Sequence, residues 1–366
     1  MDINIDQTES GDQYLEYNTI GGVLDFYFLA GPEPAAVSQQ YAQVVGLPAM
    51  MPYWSFGFHQ CKYGWGNIDT ISQVVANYSA AKIPLEAAWG DIDYMDNHKD
   101  FTYSPSNFPL DKFRRLVSNL HQNNQRFITI LDPGIKNINP TQEQYATHAR
   151  GISDDVFLKT ADGSYYLGNQ WPGQVVWPDW FSPKTQTWWT NEITLFFSPT
   201  TGIDVDGLWN DMNEASNMCD DPDKCFGPLP ASNSTSPGTK SSKKGLPNRN
   251  LFHPSYQIAN HRGPLSGSTL FTNITNADGT SQYDTHNLYG TMMVTATYNA
   301  LLARRPTKRP FVLTRSNFPG AGRHAAHWFG DNASTWSDYR AHMCSSATAL
   351  KPQMSDPTMG MACMAA

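Results

Sequence analysis

Two hydrophobic rhythms alternate along the chain from about residue 50 onward. Short apolar stretches that end in a polar residue are typical of buried strands, whereas apolar positions three and four residues apart are typical of helices. The strand-like stretches span residues 53–59, 85–89, 126–131, 207–210, 311–314 and 327–329. The helical stretches span residues 67–82, 109–120, 182–196 and 286–304. Strands that alternate with helices in this way predict a parallel sheet with helical crossovers.

Polar or charged residues follow several of these strands, namely Asp91, Asp132, Asp211, Arg315 and Asp331. In a (β/α)₈ barrel the active site is built at the carboxyl ends of the strands. A doubly wound sheet also binds ligands at that edge, but the first strand here lacks the Gly-x-Gly-x-x-Gly that would follow it. We therefore expect an α/β fold, a (β/α)₈ TIM barrel of which about six strands lie in this chain.

The predicted domain boundaries follow from where this rhythm starts, breaks and stops. Strand-like residues with glycine turns precede it, a stretch rich in Gly, Pro and Trp without a period interrupts it, and a polar excursion rich in Ser, Pro, Gly and Lys comes later. We predict an N-terminal β-domain remnant at residues 1–48, a barrel at 49–340, an inserted subdomain at about 134–181, a long loop at about 219–284 and an atypical tail at 341–366.

Composition narrows the class of protein. The chain has 366 residues, a formal net charge of −8, 16% charged residues and 13% aromatic residues. Many aromatic and few charged residues argue against intrinsic disorder, and the negative charge argues against nucleic acid as a partner. No apolar run approaches the roughly 18 residues of a membrane-spanning helix, so we expect no membrane partner. Five cysteines are too few for a disulfide scaffold of this length.

Several short signals favour the secretory pathway, although the first residues lack the basic start and apolar stretch of a signal peptide. Asn77, Asn233 and Asn273 each begin an Asn-x-Ser/Thr sequon for glycosylation. Cys219 and Cys225 lie close enough in sequence to form a disulfide, and the alternative is a pair of surface thiols. We therefore expect an extracellular or secretory-pathway protein.

Asp211 and Asp331 are the strongest candidates for catalysis. Asp211 follows an apolar strand beside Trp209, and Asp331 follows the sixth strand beside Trp328. Two carboxylates that face each other across a sugar form the centre of a glycosidase, one as nucleophile and one as acid. The alternative for any Asp after a strand is a helix N-cap. Aromatic rings such as that of Trp171 fit the glycosidase interpretation, because they offer an apolar surface to sugar C–H faces.

Other chemistries lack their motifs in this chain. There is no His-Glu-x-x-His, and the cysteine spacing does not fit zinc, so we expect no metal site. The Gly-x-Ser-x-Gly elbow of a serine nucleophile is absent as well. The glycine-rich segment at residues 320–323 lacks the Lys-Ser/Thr pair of a phosphate-binding loop.

The stretch Trp-Asn-Asp-Met-Asn-Glu at residues 209–214 resembles the signature of glycoside hydrolase family 31, the α-glucosidases. Further stretches resemble the same family in order and spacing, at residues 57–64, 91–96, 286–290 and from 309 through 315 to 332. The resemblance covers about residues 17–340. It implies a (β/α)₈ barrel with an insertion after the third strand, preceded by a β-sandwich. It also implies a retaining enzyme that acts on maltose and other α-glucosides and needs no cofactor.

The resemblance implies a role for each matching residue. Asp211 would be the nucleophile and Asp331 the general acid/base, and Glu214 is a secondary candidate three residues after Asp211. Asp91 and Arg315 would hydrogen-bond hydroxyls of the glucose ring. That ring would be lined by Trp209, Met212, Tyr63, Ile92, Trp171 and Trp328.

The chain departs from the family pattern at both ends. Family members carry a full β-sandwich before the barrel, whereas here about 48 residues precede it. Members also continue past the acid/base through two more barrel strands, which supply a further His and Phe of the sugar subsite. Residues 341–366 show no such strand pattern. We therefore expect a chain truncated at both ends, and a catalytically inactive or sugar-binding-only product is the alternative to an active enzyme.

Overall fold

The computed structural model describes residues 2–19, 24–141, 143–219, 266 and 268–336. Near the start, β1 (Asp2–Gln7) and β2 (Gln13–Asn18) form an antiparallel hairpin, and α1 (Pro34–Val45) follows. The strand-like residues and glycine turns within residues 1–48 predict strands in this region, but they do not predict α1. The reason lies in burial: α1 buries no residue, so no apolar stripe marks it in the sequence.

The centre of the molecule is a curled parallel sheet of six strands, which forms a half-barrel and confirms the predicted α/β barrel fold. The strands lie in the order β11 (Ala326–His327), β10 (Val312–Thr314), β9 (Gly207–Asn210), β5 (Arg126–Leu131), β4 (Ala87–Gly90) and β3 (His59–Gln60). The register pairs Leu131 with Asn210, and Asn210 with Thr314. The residues that follow these strands therefore emerge together at one edge of the sheet.

Helices connect the strands of the sheet and cover it: α2 (Ile68–Ala80), α3 (Leu110–Gln122), α4 (Ala146–Asp154), α5 (Thr185–Phe196), α6 (Gln282–Thr285) and α7 (Tyr289–Arg304). The side chain of Asn67 caps α2 by accepting a hydrogen bond from the N–H of Thr70. The apolar stripe of α3 is buried from Phe113 to Leu120, as its spacing predicts. The hydrophobic core lies between these helices and the sheet.

A second, smaller sheet lies within the region expected to be an inserted subdomain. It consists of β6 (Ile135–Lys136), β7 (Leu167–Gln170) and β8 (Gly173–Val176), which pair antiparallel in the order β6-β8-β7. Gly168 is required there, because a Cβ atom would stand 2.2 Å from Trp177 Nε1. The amide of Gln170 accepts a hydrogen bond from Gly134 N–H and donates one to the carbonyl of Ser216. The small sheet is thereby tied to the residues that follow β9.

Several boundaries differ from those that the sequence predicts. The first barrel strand covers only His59 and Gln60, because residues 53–56 form a 3₁₀ turn. α5 begins at Thr185 rather than at Ser182, since Ser182 is part of a turn in which its N–H bonds to the carbonyl of Asp179. Within the described part of the chain, no helix has the length and apolar character needed to cross a membrane.

Candidate active site

Four of the predicted site residues follow strands of the large sheet. Asp91 comes after β4, Asp211 after β9, Arg315 after β10, and Asp331 lies four residues beyond the end of β11. The N–H of Asp211 donates to the carbonyl of Leu131 on β5, so this residue is fixed by the sheet itself. The parallel topology gathers these side chains at the carboxyl edge, where barrels build their sites.

Asp211 lies at the centre of a charged network. It is 8% exposed, and its Oδ1 stands 3.0 Å from a terminal nitrogen of Arg315. The guanidinium of Arg315 donates two hydrogen bonds to the carboxylate of Glu214, at 2.8 and 3.0 Å. A planar guanidinium that is held at two points has a fixed orientation. Glu214 therefore orients Arg315 toward Asp211.

Burial raises the pKa of Asp211 to about 6. The positive charge of Arg315 and the N–H of Met212 oppose this shift, whereas the negative charges of Glu214 and Asp331 add to it. The contribution of Asp331 shows that the two predicted catalytic carboxyl groups are near enough to sense each other's charge. A carboxylate with these neighbours is ionised near neutral pH and lies in a dry surrounding, as a nucleophile requires.

The backbone next to Asp211 is held in an unusual conformation. Met212 has φ of +53°, in the left-handed region that side chains other than glycine rarely adopt. Its carbonyl accepts hydrogen bonds from Ser216 N–H and from the Gln170 amide, and its sulfur contacts Arg315 at 3.0 Å. Strain of this kind persists only where the surroundings hold it, and it is common at functional sites.

Asp91 is the second buried carboxyl group of the site, with 8% exposure. One of its oxygens accepts a hydrogen bond of 2.6 Å from the N–H of Ile92. Burial is the main reason that the pKa of Asp91 is raised to about 7, and the charges of Asp93, Asp211 and Asp331 raise it further. Asp91 therefore shares the electrostatic field of both predicted catalytic residues.

Aromatic and apolar side chains surround the charged groups. The rings of Trp209 and Trp328 meet edge to face with centroids 5.3 Å apart, and Trp89 lies on the other side of Trp209 at 5.8 Å. Ile92 and Met212 are also buried. The two remaining predicted lining residues are exposed rather than buried: Tyr63 is 63% and Trp171 is 45% exposed.

Asp331 is exposed, in contrast to Asp211. It follows Gly330, whose φ of +81° lies in the left-handed region and whose missing side chain leaves room for Arg315. A Cβ atom on Gly330 would approach Arg315 Cδ to 3.3 Å. The glycine therefore brings the backbone that carries Asp331 close to the guanidinium that holds Asp211.

The other predicted sites divide between described and undescribed residues. Asn77 and Asn273 are exposed, as glycosylation acceptors must be. Cys219 is buried and takes part in a disulfide. Its predicted partner Cys225 and the sequon residue Asn233 lie outside the described residues, so their roles stay predictions.

Sequence reasoning missed one acidic residue of this region, Asp100. It lies in the connection between β4 and α3, is 1% exposed, and accepts a hydrogen bond from the N–H of Asp132. Its neighbours Lys99 and Phe101 gave no hint of burial, because a charged residue and an aromatic residue flank it in a polar stretch. An isolated Asp in a connection carries no periodic signal that could have revealed it.

Known proteins resemble this chain in sequence and in fold. Residues 48–356 match the model of the glycosyl hydrolases family 31 TIM-barrel domain. The "Probable alpha/beta-glucosidase agdC" of Aspergillus fumigatus is 48% identical over 371 residues, which is 93% of this chain and 41% of that protein. A "Probable alpha-glucosidase" of Oryza sativa subsp. japonica is 48% identical over 330 residues, 90% of this chain and 34% of the relative. The chain thus spans less than half the length of these curated relatives.

Solved structures of glucosidases also resemble this chain in fold. The crystal structure of a glucosidase II alpha subunit, in its DNJ-bound form, superposes with a TM-score of 0.67 and 30% identity, over 85% of this chain and 28% of that one. A family 31 alpha-glucosidase from Bacteroides thetaiotaomicron superposes with a TM-score of 0.59 and 30% identity, over 83% of this chain and 41% of that one.

Proposed function

The chain belongs to glycosyl hydrolase family 31, and from this premise we propose that it carries the catalytic centre of a retaining α-glucosidase. The observation that supports the proposal best is the environment of the buried Asp211. This residue forms an ion pair with Arg315, and the charge of the exposed Asp331 contributes to its raised pKa. One dry carboxylate and one accessible carboxyl group are the two parts that glycoside hydrolysis needs.

In the proposed reaction, Asp211 attacks the anomeric carbon of the terminal glucose. The bond to the leaving oxygen breaks as that oxygen takes a proton from Asp331, and a covalent glucosyl–Asp211 ester forms. Asp331, now ionised, removes a proton from a water molecule, which attacks the same carbon and releases Asp211. Two displacements return glucose with its original anomeric configuration, and this requires the two carboxyl groups to stand about 5–5.5 Å apart across the sugar.

The proposed substrates are maltose and other α-glucosides with a terminal glucose. Asp91 would accept hydrogen bonds from ring hydroxyls, because its carboxylate is buried beside the nucleophile. Arg315 would donate a hydrogen bond to a hydroxyl from a guanidinium N–H that is not bonded to Glu214. The edge-to-face pair of Trp209 and Trp328 would support the apolar side of the sugar ring. Tyr63 and Trp171, which are exposed, would line the same glucose subsite.

We also propose that the protein works in the secretory pathway or outside the cell. The exposed Asn77 and Asn273 and the disulfide of Cys219 support this location.

A single experiment tests the proposed function. The purified protein is incubated with an aryl α-glucoside, an aryl β-glucoside and maltose, and proton NMR records which anomer of glucose appears first. We expect hydrolysis of the α-linked substrates with α-glucose as the first product. β-Glucose as the first product from maltose would indicate an inverting enzyme, whose carboxyl groups stand about 6.5–9.5 Å apart. Saturable binding of maltose without turnover would support the sugar-binding-only alternative.

A further inference from the structure

Asp100 and Asp132 form a pair of buried carboxyl groups directly below the candidate active site. Asp132 follows β5, and its N–H donates a hydrogen bond of 2.9 Å to Oδ1 of Asp100. The two residues are 1% and 3% exposed. Oδ2 of Asp100 and Oδ1 of Asp132 are both buried and have no hydrogen-bond partner within the described residues. Buried polar atoms are almost always satisfied, so these two oxygens require an explanation.

The charges around this pair do not compensate two carboxylates. The groups that act on Asp132 from the strand ends are Asp91, Asp211 and Arg315. Arg315, the cation among them, is already paired with Asp211 and Glu214. The groups that face Asp100 from the other side are the phenols of Tyr94 and Tyr145. Burial, and for Asp132 also the charge of Asp100, raises the pKa of both carboxyl groups well above the ordinary value.

A proton held between the two groups accounts for both observations. One carboxyl group would then donate its O–H to the other, and a single hydrogen bond would satisfy an unpartnered oxygen of each. The pair also carries one negative charge rather than two, which removes the repulsion between neighbouring carboxylates. The same arrangement limits the negative charge that faces Asp211, which must itself be ionised to react.

The connection that carries Asp100 also carries Asp91, and it is strained. Asn97, His98 and Phe101 all have φ between +49° and +59°, in the left-handed region. Three such residues within a short stretch need support from their surroundings. The support comes from Asp132 N–H on the Asp100 carboxylate and from the hydroxyl of Tyr145, which donates a hydrogen bond of 2.7 Å to the Asp100 carbonyl.

We propose that Asp100 and Asp132 share one proton and act as a positioning pair, which fixes the connection carrying Asp91 against the strand end carrying Asp211. The pair touches no substrate, so it acts through Asp91. Its kinetic consequence rests on the proposed α-glucosidase function, whereas the shared proton does not depend on that function.

Infrared spectroscopy tests the shared proton without any substrate. At pH 9 the ordinary carboxyl groups, together with Asp91 and Asp211, are ionised. We expect the protein to retain the carbonyl-stretch band of one protonated carboxylic acid, and the double variant Asp100→Asn/Asp132→Asn to remove it. Asp111→Asn, at an exposed residue paired with Arg115, is the matched control and should leave the band unchanged. Absence of the band in the unmodified protein, an intensity equal to two protonated groups, or survival of the band in the double variant would overturn the shared proton.

A double-mutant cycle tests the positioning role. Asp132→Asn keeps a donor that can replace the shared O–H, so we expect kcat/KM within about threefold of the parent, since only the hydrogen bond's strength changes. Asp132→Leu has a similar volume but no hydrogen bond, and we expect a loss of roughly 10–100-fold, as for a small displacement of a positioned group. In an Asp91→Ala background the same Leu substitution should cost less than threefold, because the residue through which it acts is gone.

An equal loss from Asp132→Leu in both backgrounds would mean a general structural role and would overturn the positioning proposal. Near-UV circular dichroism verifies that each variant folds, and Asp100→Leu replaces Asp132→Leu in the cycle if the latter does not. If the parent protein hydrolyses no α-glucoside, the proposed function fails while the infrared result stands. The cycle is then measured on the dissociation constant of maltose, and absence of maltose binding would overturn the positioning role.

Discussion

The two sides of the candidate site differ in how firmly the protein holds them. On one side, Asp211 follows an interior strand of the sheet, is nearly inaccessible, and is tied to Arg315, which Glu214 holds in turn. On the other side, Asp331 lies beyond β11, the strand at the edge of the described sheet, and is exposed. The buried side consists of charges in fixed positions, and the open side consists of groups in contact with water.

The difference matches what the two halves of the proposed reaction demand. A nucleophile benefits from a preorganised, dry environment, because fixed dipoles and charges need no rearrangement at the moment of attack. An acid/base must exchange protons with a leaving group and with water, so it needs access. Tyr63 and Trp171 are exposed as well. Asp211 and Asp331 are residues of the same type, so burial is what distinguishes their proposed roles.

The largest effect is expected from the centre of the buried side. Asp211→Asn keeps the volume of the side chain but removes the attacking oxygen charge, so we expect kcat to fall by about 10³-fold or more. Steady-state hydrolysis of maltose measures the loss, and circular dichroism verifies the fold. A variant that retains a tenth of the parent rate would transfer the nucleophile role to another carboxylate, and Glu214 would be the first to examine.

On the open side, the effect should depend on the substrate. Asp331→Ala removes the proton donor, which matters most when the leaving group is a sugar hydroxyl and least when it is an activated phenol. General acid catalysis contributes about 10²–10⁴-fold. We expect a loss within that range for maltose and a much smaller loss for an aryl glucoside with a good leaving group. Equal losses for both substrates would argue that Asp331 does not deliver the proton.

The buried side was also the more predictable side from the sequence. Its residues follow strands with strong apolar patterns, such as the residues 126–131 that form β5 and the residues 207–210 that form β9. The residues that come next, including Asp211, must therefore reach the same edge of the sheet. A parallel arrangement with its site at the carboxyl ends follows from that pattern alone.

The connections could not be predicted in the same way, because their geometry depends on contacts between residues far apart in sequence. The bidentate contact of Glu214 with Arg315 joins residues about a hundred positions apart, and no periodicity encodes it. The partnership of Asp100 with Asp132 is another example. The exposure of Asp331 is a third example, because the apolar Trp328 and Phe329 that precede it do not indicate it.

A third prediction concerns the orientation of Arg315, which depends on Glu214. Glu214→Gln replaces a charged, two-point partner of Arg315 with a neutral one, and a hydrogen bond to a charged group is worth about 1.5–3 kcal/mol. We expect kcat/KM to fall by roughly 10–100-fold, the equivalent of that energy. Because the charge of Glu214 raises the pKa of Asp211, its loss should also shift the acid limb of the pH–rate profile to lower pH. An unmoved acid limb would contradict the network.

The smallest effect concerns the stability cost of burying charge on this side. Burial, with help from nearby carboxylates, raises the pKa of Asp91 to about 7, so the folded state binds this proton more tightly than the unfolded state does. Stability should therefore fall as pH rises from about 4 through about 7, where the folded protein must give up the proton. Asp91→Asn is neutral throughout, so its Tm should match that of the parent at pH 4 and exceed it at pH 8. The exposed control Asp111→Asn should show no such divergence. Parallel Tm curves for Asp91→Asn and the parent would mean that ionisation of Asp91 does not lower the stability of the folded protein.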